Sequence, residues 1–236
     1  MEQSNIGYID SLETMGLVDG PGIRFVVFMR MCKLRCIFCH NPETWDCKDC
    51  FKINSEDLIK RIHKYKNYYK NGGVTFSGGD PLLQPDFLID MLKKCHTINM
   101  HTALDTSGVG IGKYEEILEN TDLVLLDVKA INPEKYKEIT GKPIDEFNKF
   151  VEVLNKSGKE VIIRQVIIPG INDTKEYIKD LKNYVEHIKN VSKIELLPYH
   201  TMGVNKYKKL GIPYKLEGVP PLSQEKLKEL EQTLKE

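Results

Sequence analysis

Five of the six cysteines lie close together, between positions 32 and 50. Three of them form the spacing Cys32-x3-Cys36-x2-Cys39, directly after an apolar run. Thiolates are soft ligands, and this spacing suits an iron–sulfur cluster or zinc. Three thiolates leave one iron of a four-iron cluster free to bind another molecule, whereas electron carriers use four. A cluster with an open iron would indicate chemistry at the metal centre itself.

The other two cysteines of this group allow a second interpretation. Cys36-x2-Cys39 and Cys47-x2-Cys50 could together hold one zinc ion, as paired C-x2-C motifs often do. The gap between the two pairs is shorter than the usual zinc-ribbon spacing, and Cys32 would have no role. Ligand count therefore favours the cluster, with a zinc-binding interaction module as the alternative. Cys95 falls on a predicted helix and is interpreted as a core residue.

The elements that must position these residues form a regular alternation. Segments with helical periodicity lie between the predicted strands. Two of them begin with helix-start signals, Asn54 with Asp57 and Asp173 with Glu176. Alternation of apolar strands with helices predicts an α/β fold, in which parallel strands are buried under covering helices. The predicted strands are Ile23–Arg30, Val74–Ser77, His101–Asp105, Leu123–Lys129, Val161–Ile168 and Lys193–Tyr199.

Polar residues and glycines follow five of the six predicted strands. Because the carboxyl ends of parallel strands lie at one edge or mouth, we expect these residues to share a site. Arg164 lies inside an apolar strand, where a guanidinium needs an anion or hydrogen-bond partners. The residues at the strand ends are Cys32, Gly78, Gly79, Asp80, Asp105, Thr106, Asp127, Lys129 and His200.

Two segments are long and irregular, which in compact domains is usual for functional loops. They are residues 31–53, which hold the cysteines, and residues 200–222, which precede a predicted terminal helix. No linker rich in serine, glycine or proline divides the chain, so residues 1–236 are predicted to form a single domain.

Composition excludes several classes of protein. The chain has 34 Lys+Arg against 34 Asp+Glu, and this balance argues against binding nucleic acid or an anionic membrane by bulk attraction. The N-terminus lacks the basic start and apolar run of a secretion signal, and no stretch approaches the roughly 18 apolar residues of a membrane span. We expect a cytoplasmic protein, in which disulfides are rare and clustered cysteines serve metal binding or catalysis.

Seven motifs follow one another along the chain: Asp19–Arg24, Cys32–Pro42, Thr44-Trp45, Ser77–Asp80, Leu104–Thr106, Asp127–Lys129 and Leu196–His200. Taken together and in this order, they resemble those of the radical S-adenosylmethionine (radical SAM) enzymes. More narrowly, they resemble the activating enzymes of glycyl-radical enzymes, nearest to those that act on pyruvate formate-lyase. The resemblance implies a partial (β/α)6 barrel, which agrees with the six predicted strands.

The resemblance also implies a role for each matching residue. Cys32, Cys36 and Cys39 would hold a 4Fe-4S cluster, whose open iron binds S-adenosylmethionine. A monovalent cation is possible near Asp105, Thr106 and Asp127. Asp80 departs from the glutamate that is commoner in this motif. The expected cofactor contacts are Phe38, His40, Gly78, Gly79, Asp105, Asp127, Val128, Lys129, Arg164 and His200.

The implied reaction is the reductive cleavage of S-adenosylmethionine, followed by hydrogen abstraction from a glycine of a partner enzyme. The expected partners are a glycyl-radical enzyme, pyruvate formate-lyase or another, and a one-electron donor such as flavodoxin or ferredoxin. The chain itself is expected to be a monomer, and residues 200–222 are the candidate partner-contacting segment. Cys47 and Cys50 are too few for the ferredoxin-like insert of some relatives. A redox-active dithiol or a shared metal site is possible, but we expect no role for them.

Overall fold

One mixed β-sheet organises the molecule in the computed structural model, which describes residues 5–48 and 50–236. Its spatial order is β3-β1-β2-β4-β5-β6-β7-β8, with β3 and β8 at the two edges. The strands are β1 (Ile6–Gly16), β2 (Arg24–Met29), β3 (Phe51–Asn54), β4 (Gly73–Gly78), β5 (Thr102–Thr106), β6 (Leu123–Asp127), β7 (Glu160–Ile167) and β8 (Val191–Pro198).

The six strands predicted from the sequence are all present and parallel to one another. They pair β2 with β4, then β5, β6, β7 and β8 in turn. Their residues are apolar because both faces are covered; in β6, the run from Leu123 to Leu126 is wholly buried. The open mixed sheet confirms the predicted α/β class and fits a partial barrel.

Two antiparallel strands were missed by the sequence analysis. β1 pairs with β2 on one side and with β3 on the other. The pairing of β1 with β2 shifts register twice, and much of β1 is only partly buried. Its apolar pattern is therefore weak, and its place in the sheet depends on the neighbouring strands.

Helices cover the sheet and connect its parallel strands. They are α1 (Ser55–Lys64), α2 (Pro85–Thr97), α3 (Tyr114–Glu119), α4 (Pro133–Thr140), α5 (Asp145–Ser157), α6 (Lys175–Val185), α7 (Val204–Leu210) and α8 (Gln224–Lys235). Cys95 is fully buried on α2, as expected of a core residue. No helix of the described residues is long and apolar enough to cross a membrane.

The predicted helix starts are confirmed in one case and corrected in the other. The Asn54 side chain accepts a hydrogen bond from the Asp57 backbone and caps α1. Helix α6 is capped by Thr174 rather than by Asp173. The Asp173 carboxylate instead accepts a hydrogen bond from the Gly170 backbone, 2.9 Å away.

The two segments predicted to be irregular contain short regular elements. Residues 31–53 include a 3-10 helix at Pro42–Trp45 and the beginning of β3. Residues 200–222 include α7, which the sequence analysis did not predict. Gly203 precedes α7 and packs so closely that an added Cβ would lie 2.8 Å from the His40 Cα. Helix α7 therefore lies against the cysteine-bearing segment.

Candidate functional site

A cavity of about 320 Å³ lies at the carboxyl ends of the parallel strands. The cysteine segment forms one wall, and the ends of β4, β5, β6 and β7 contribute to the others. The structure brings most of the predicted site residues to this cavity. Those that line it are Cys32, Cys36, Phe38, Cys39, His40, Gly78, Gly79, Asp105, Thr106, Asp127, Lys129 and Arg164.

The cysteine segment is held in place through its backbone. The Arg35 and Ile37 amides donate to the carbonyl oxygens of Thr140 and Ile139, at 2.8 and 2.9 Å. On the other side, the Cys32 amide donates to the Trp45 carbonyl at 3.3 Å. The end of α4 and the 3-10 helix therefore fix the loop independently of any bound group.

The three cavity cysteines suit soft metal ions. Cys36 is buried, and Cys32 and Cys39 are partly buried. Burial raises the pKa of the Cys36 thiol to about 12, against the opposing charge of Lys129. Thiols in such surroundings ionise when a metal replaces the proton. Within residues 5–48 and 50–236, no three His, Cys, Asp or Glu side chains converge on a single-ion site. In a multi-iron cluster, by contrast, each thiolate binds a different iron, so the donor set fits a cluster.

Gly78 and Gly79 allow the end of β4 to approach the chain that leaves β2. A Cβ on either residue would lie 2.3 Å from a backbone atom, of Met29 in the case of Gly78 and of Met31 in the case of Gly79. Gly78 also has φ of +114°, in the region that favours glycine. The two glycines thus serve the packing of the strand ends as well as opening backbone atoms to the cavity.

Asp80 is nearly completely buried and organises the loop after β5. Its carboxylate accepts hydrogen bonds from the Thr106 hydroxyl at 2.8 Å and from the Ser107 amide at 3.0 Å and hydroxyl at 2.5 Å. It also accepts from the Leu82 amide at 3.1 Å. Burial raises its pKa, although these hydrogen bonds oppose the shift. Asp80 is not among the cavity-lining residues and positions Thr106 and Ser107, which are.

Side chains of both charges line the cavity together with the cysteines. Arg164 contacts Asp105 at 3.4 Å and Glu195 at 3.3 Å, which supplies the anions that its buried position requires. Lys129 contacts Asp127 at 2.6 Å. Burial raises the pKa of Asp105 to about 6; Arg164 opposes this shift and Asp127 adds to it. This wall presents both signs of charge, as recognition of a zwitterionic molecule needs.

His200 and Val128 lie behind the cavity wall. The His200 ring stacks on that of His40, with centroids 3.8 Å apart, and His40 Nε2 donates to the His200 carbonyl at 2.9 Å. Burial, with the nearby charge of Lys129, lowers the pKa of His40, so its ring is neutral at pH 7. The Val128 side chain is buried in the core, and its amide donates to the Arg164 carbonyl at 2.9 Å.

Several residues at the site were missed as site residues by the sequence analysis. Asp19 lies on the cavity wall, and its place in the Asp19–Arg24 motif was a usable signal. The Tyr207 hydroxyl donates to the Cys39 carbonyl at 3.0 Å. The Tyr136 hydroxyl is buried without a hydrogen-bond partner among the described residues, on the helix that holds the cysteine segment. Neither tyrosine belongs to a recognisable motif.

Comparison with known proteins agrees with this geometry. The model of the radical SAM superfamily matches residues 26–185. The "pyruvate formate-lyase-activating enzyme" of Clostridium pasteurianum is 52% identical over 98% of both chains. That of Staphylococcus epidermidis is 42% identical over 94% of this chain and 93% of its own. A solved domain of the Bacteroides vulgatus enzyme has a TM-score of 0.56 at 28% identity, covering 70% of this chain and 94% of that domain.

The chain belongs to the radical SAM superfamily, in the family of the pyruvate formate-lyase-activating enzymes.

Membership confirms the predicted resemblance and implies a 4Fe-4S cluster and S-adenosylmethionine as cofactors. It also replaces the alternative of a zinc-binding module. That alternative required Cys47 and Cys50 to join Cys36 and Cys39. In the radical SAM fold of this chain, Cys36 and Cys39 line the cavity and the other pair does not.

Proposed function

We propose that this protein is the activating enzyme of pyruvate formate-lyase, and that it forms a glycyl radical in that partner. The observation that carries the proposal is the match to the C. pasteurianum enzyme over 98% of both chains. The cavity supports it, because the three cysteines and the charged side chains line the same cavity. Activation of a different glycyl-radical enzyme is the alternative, since the same chemistry serves the whole group.

The residues of the cavity divide into ligands of the cluster and contacts of S-adenosylmethionine. Cys32, Cys36 and Cys39 hold the cluster. When bound, the cluster and S-adenosylmethionine supply the one-electron chemistry that removes a hydrogen atom from the partner's glycine. The protein binds and orients these groups and excludes water.

The proposed cofactor contacts differ in kind. The backbone at Gly78 and Gly79 faces the methionine amino group, and Lys129 neutralises its carboxylate. Asp105 accepts hydrogen bonds from the ribose. Phe38, His40, Asp127 and Arg164 complete the lining, Val128 acts through its backbone, and His200 supports the His40 ring.

A monovalent cation beside Asp105, Thr106 and Asp127 is part of the proposal. The two carboxylates and the Thr106 hydroxyl line the same cavity, and their oxygen atoms are the ligands that hard cations prefer. Lys129 pairs with Asp127 and Arg164 with Asp105, so a bound cation would share these carboxylates with the two side chains.

The electron donor is proposed to dock where the cluster segment reaches the surface. A second cavity, of about 230 Å³, opens beside Cys36 and is lined by aromatic, apolar and basic side chains. Arg35 lies over the Trp45 ring at 4.8 Å, and the Trp45 and Tyr207 rings are 6.0 Å apart. A basic rim suits an acidic carrier such as flavodoxin or ferredoxin. The lining residues are Arg35, Cys36, Ile37, Trp45, Tyr207, Ile212, Pro213 and Lys215.

The remaining expectations stay proposals. Residues 200–222 are proposed to contact the partner enzyme, because they carry exposed side chains next to the cavity wall at His40. The protein is proposed to act in the cytoplasm as a monomer, without binding nucleic acid or membrane.

The proposed function is tested by mixing anaerobic, cluster-loaded protein with dithionite, S-adenosylmethionine and pyruvate formate-lyase. Electron paramagnetic resonance should show a glycyl radical in the lyase. Cys36→Ala should lose the cluster and S-adenosylmethionine cleavage, whereas Cys47→Ala should keep both. A radical formed with another glycyl-radical enzyme but not with the lyase would assign the alternative partner. About one zinc per chain without sulfide would contradict both.

The donor surface is tested by changing the reductant. Lys215→Glu should slow reduction of the cluster by flavodoxin several-fold and leave reduction by dithionite unchanged, because only the protein donor needs the basic rim. Lys228→Glu, an exposed change on α8, is the matched control. Equal effects of the two variants would place the donor elsewhere.

A further inference from the structure

Cys47 and Cys50 form a C-x2-C motif that the proposed function does not use. Neither residue lines the cavity of Cys32, Cys36 and Cys39. Both are free and partly exposed, and their Sγ atoms lie 2.6 Å apart. A small movement would bring these sulfurs to bonding distance, which is about 2.05 Å in a disulfide. The sequence alone predicts no role for this pair, whereas the short distance between the sulfurs suits a reversible bond.

The segment that carries the two cysteines is anchored at both ends. On one side, the Trp45 carbonyl accepts the hydrogen bond of the Cys32 amide. On the other side, Cys50 directly precedes β3, where Phe51 is paired with Ile9 of β1. The two cysteines are three positions apart between these anchors, and a bond between their sulfurs would leave both anchors in place.

Charged groups near the pair act on the ionisation of Cys47. Burial and the neighbouring Cys50 raise the pKa of the Cys47 thiol to about 11, against the charges of Arg30 and Lys52. Arg30 also contacts Asp10 at 2.9 Å, and its Nε atom has no partner among the described residues. At neutral pH the Cys47 thiol is therefore protonated, while a cation beside it can stabilise the thiolate as it forms.

We propose that Cys47 and Cys50 form a reversible dithiol–disulfide site, whose substrate is a low-molecular-weight disulfide of the glutathione type. One cysteine thiolate attacks a sulfur of the substrate and forms a mixed disulfide, releasing the first thiolate. The second cysteine attacks the mixed disulfide, closes the internal bond and releases the second thiolate. Two electrons pass to the substrate disulfide, and its two sulfurs leave as thiols with the two protons of the cysteines.

This site is independent of the activation reaction, because its cysteines are outside the cluster cavity. In a reducing cytosol the pair stays a dithiol, and it is oxidised when the thiol pool becomes oxidising. The disulfide would join the chain just after the 3-10 helix to the residue that precedes β3, an edge strand of the sheet. Oxidation would thus be recorded without use of a cluster ligand.

The test uses anaerobic, cluster-loaded protein equilibrated in buffers of reduced and oxidised glutathione. Free thiols are trapped with an alkylating reagent after an acid quench, and peptides are measured by mass spectrometry. We expect the peptide with Cys47 and Cys50 to lose both reactive thiols together and to become two hydrogens lighter. Dithiothreitol should restore both thiols. Cys95, fully buried on α2, should remain a thiol in the same samples.

Single variants separate an internal disulfide from simple glutathione adducts. Cys47→Ser and Cys50→Ser should each stop at one stable mixed disulfide and keep full cluster content. The proposal is overturned if both wild-type thiols remain alkylatable in the most oxidising buffer. A stable adduct on one cysteine of the wild-type protein, a bond to a cluster cysteine, or a disulfide that dithiothreitol does not reduce would also overturn it.

Discussion

At the scale of single residues, the site depends on buried carboxylates as much as on its cysteines. Asp80 supports two cavity residues from behind, and Asp105 faces the cavity beside Arg164. The two carboxylates differ in the interactions that offset the cost of burying them. Asp80 receives four hydrogen bonds from neutral donors, whereas Asp105 depends largely on a charged partner. Their substitution should accordingly have different consequences.

Asp80→Ala should destabilise the cluster-free protein by about 3 kcal/mol, because it leaves several buried donors without an acceptor. Asp86→Ala is the matched control, since Asp86 is an exposed carboxylate paired with Lys113 and should cost less than about 1 kcal/mol. Urea unfolding measures both. Similar losses for the two variants would show that Asp80 does not hold the loop after β5.

Asp105 should make stability fall as pH rises between about 4 and 6. The folded chain holds the Asp105 proton up to a pKa of about 6, whereas the ordinary value is 3.8. In this window the unfolded chain releases the proton first, which favours unfolding. Asp105→Asn should lack this decline. The measurement is the free energy of unfolding of both cluster-free proteins from pH 4 to pH 7, and parallel curves would contradict the raised pKa.

At the scale of elements, the close contact between the ends of β2 and β4 shapes the cavity. This contact requires glycine at position 78 for two reasons, a positive φ and the lack of space for a Cβ. Gly112 has a similar φ of +106°, but nothing lies within 4 Å of an added Cβ. A substitution at Gly112 therefore tests the effect of φ without the effect of crowding.

Gly112→Ala should therefore cost about 1 to 2 kcal/mol of backbone strain and keep full iron content. Gly78→Ala should cost more and lose iron, since the Cβ forces β4 away from β2 beside the cysteine segment. Urea unfolding and iron analysis of the reconstituted proteins test this pair. If Gly78→Ala binds iron normally, the strand contact does not shape the cluster site.

At the scale of the whole molecule, the site is assembled from segments far apart in sequence. The cysteine segment and several strand ends line one cavity, and α7 packs against the cysteine segment. Groups bound in this cavity would contact residues of several strands. Binding should therefore be linked to the stability of the entire fold.

S-adenosylmethionine at a hundredfold excess over its dissociation constant should stabilise the cluster-loaded protein by about 2.7 kcal/mol, because it binds the folded state alone. Cys36→Ala, which lacks the cluster, should show no such gain. Anaerobic calorimetry of both proteins with and without the cofactor measures the effect. Equal stabilisation of the variant would mean that the cofactor binds without the cluster.

The six parallel strands, the spacing of the three cavity cysteines and the glycines at the end of β4 could all be predicted from the sequence. These features are readable because they are local: apolar runs, fixed spacings and residues without side chains. The partners of a residue that acts through contacts distant in sequence could not be predicted. Arg164 was recognised as needing an anion, but Asp105 and Glu195 could not be named as its partners.

Three other elements could be identified only from the tertiary structure. β1 and β3 carry weak patterns and exist through pairing with neighbours, and α7 is supported by close packing at His40. Hydrogen bonds and packing between residues far apart in the sequence stabilise these elements. No local sequence pattern therefore predicts them.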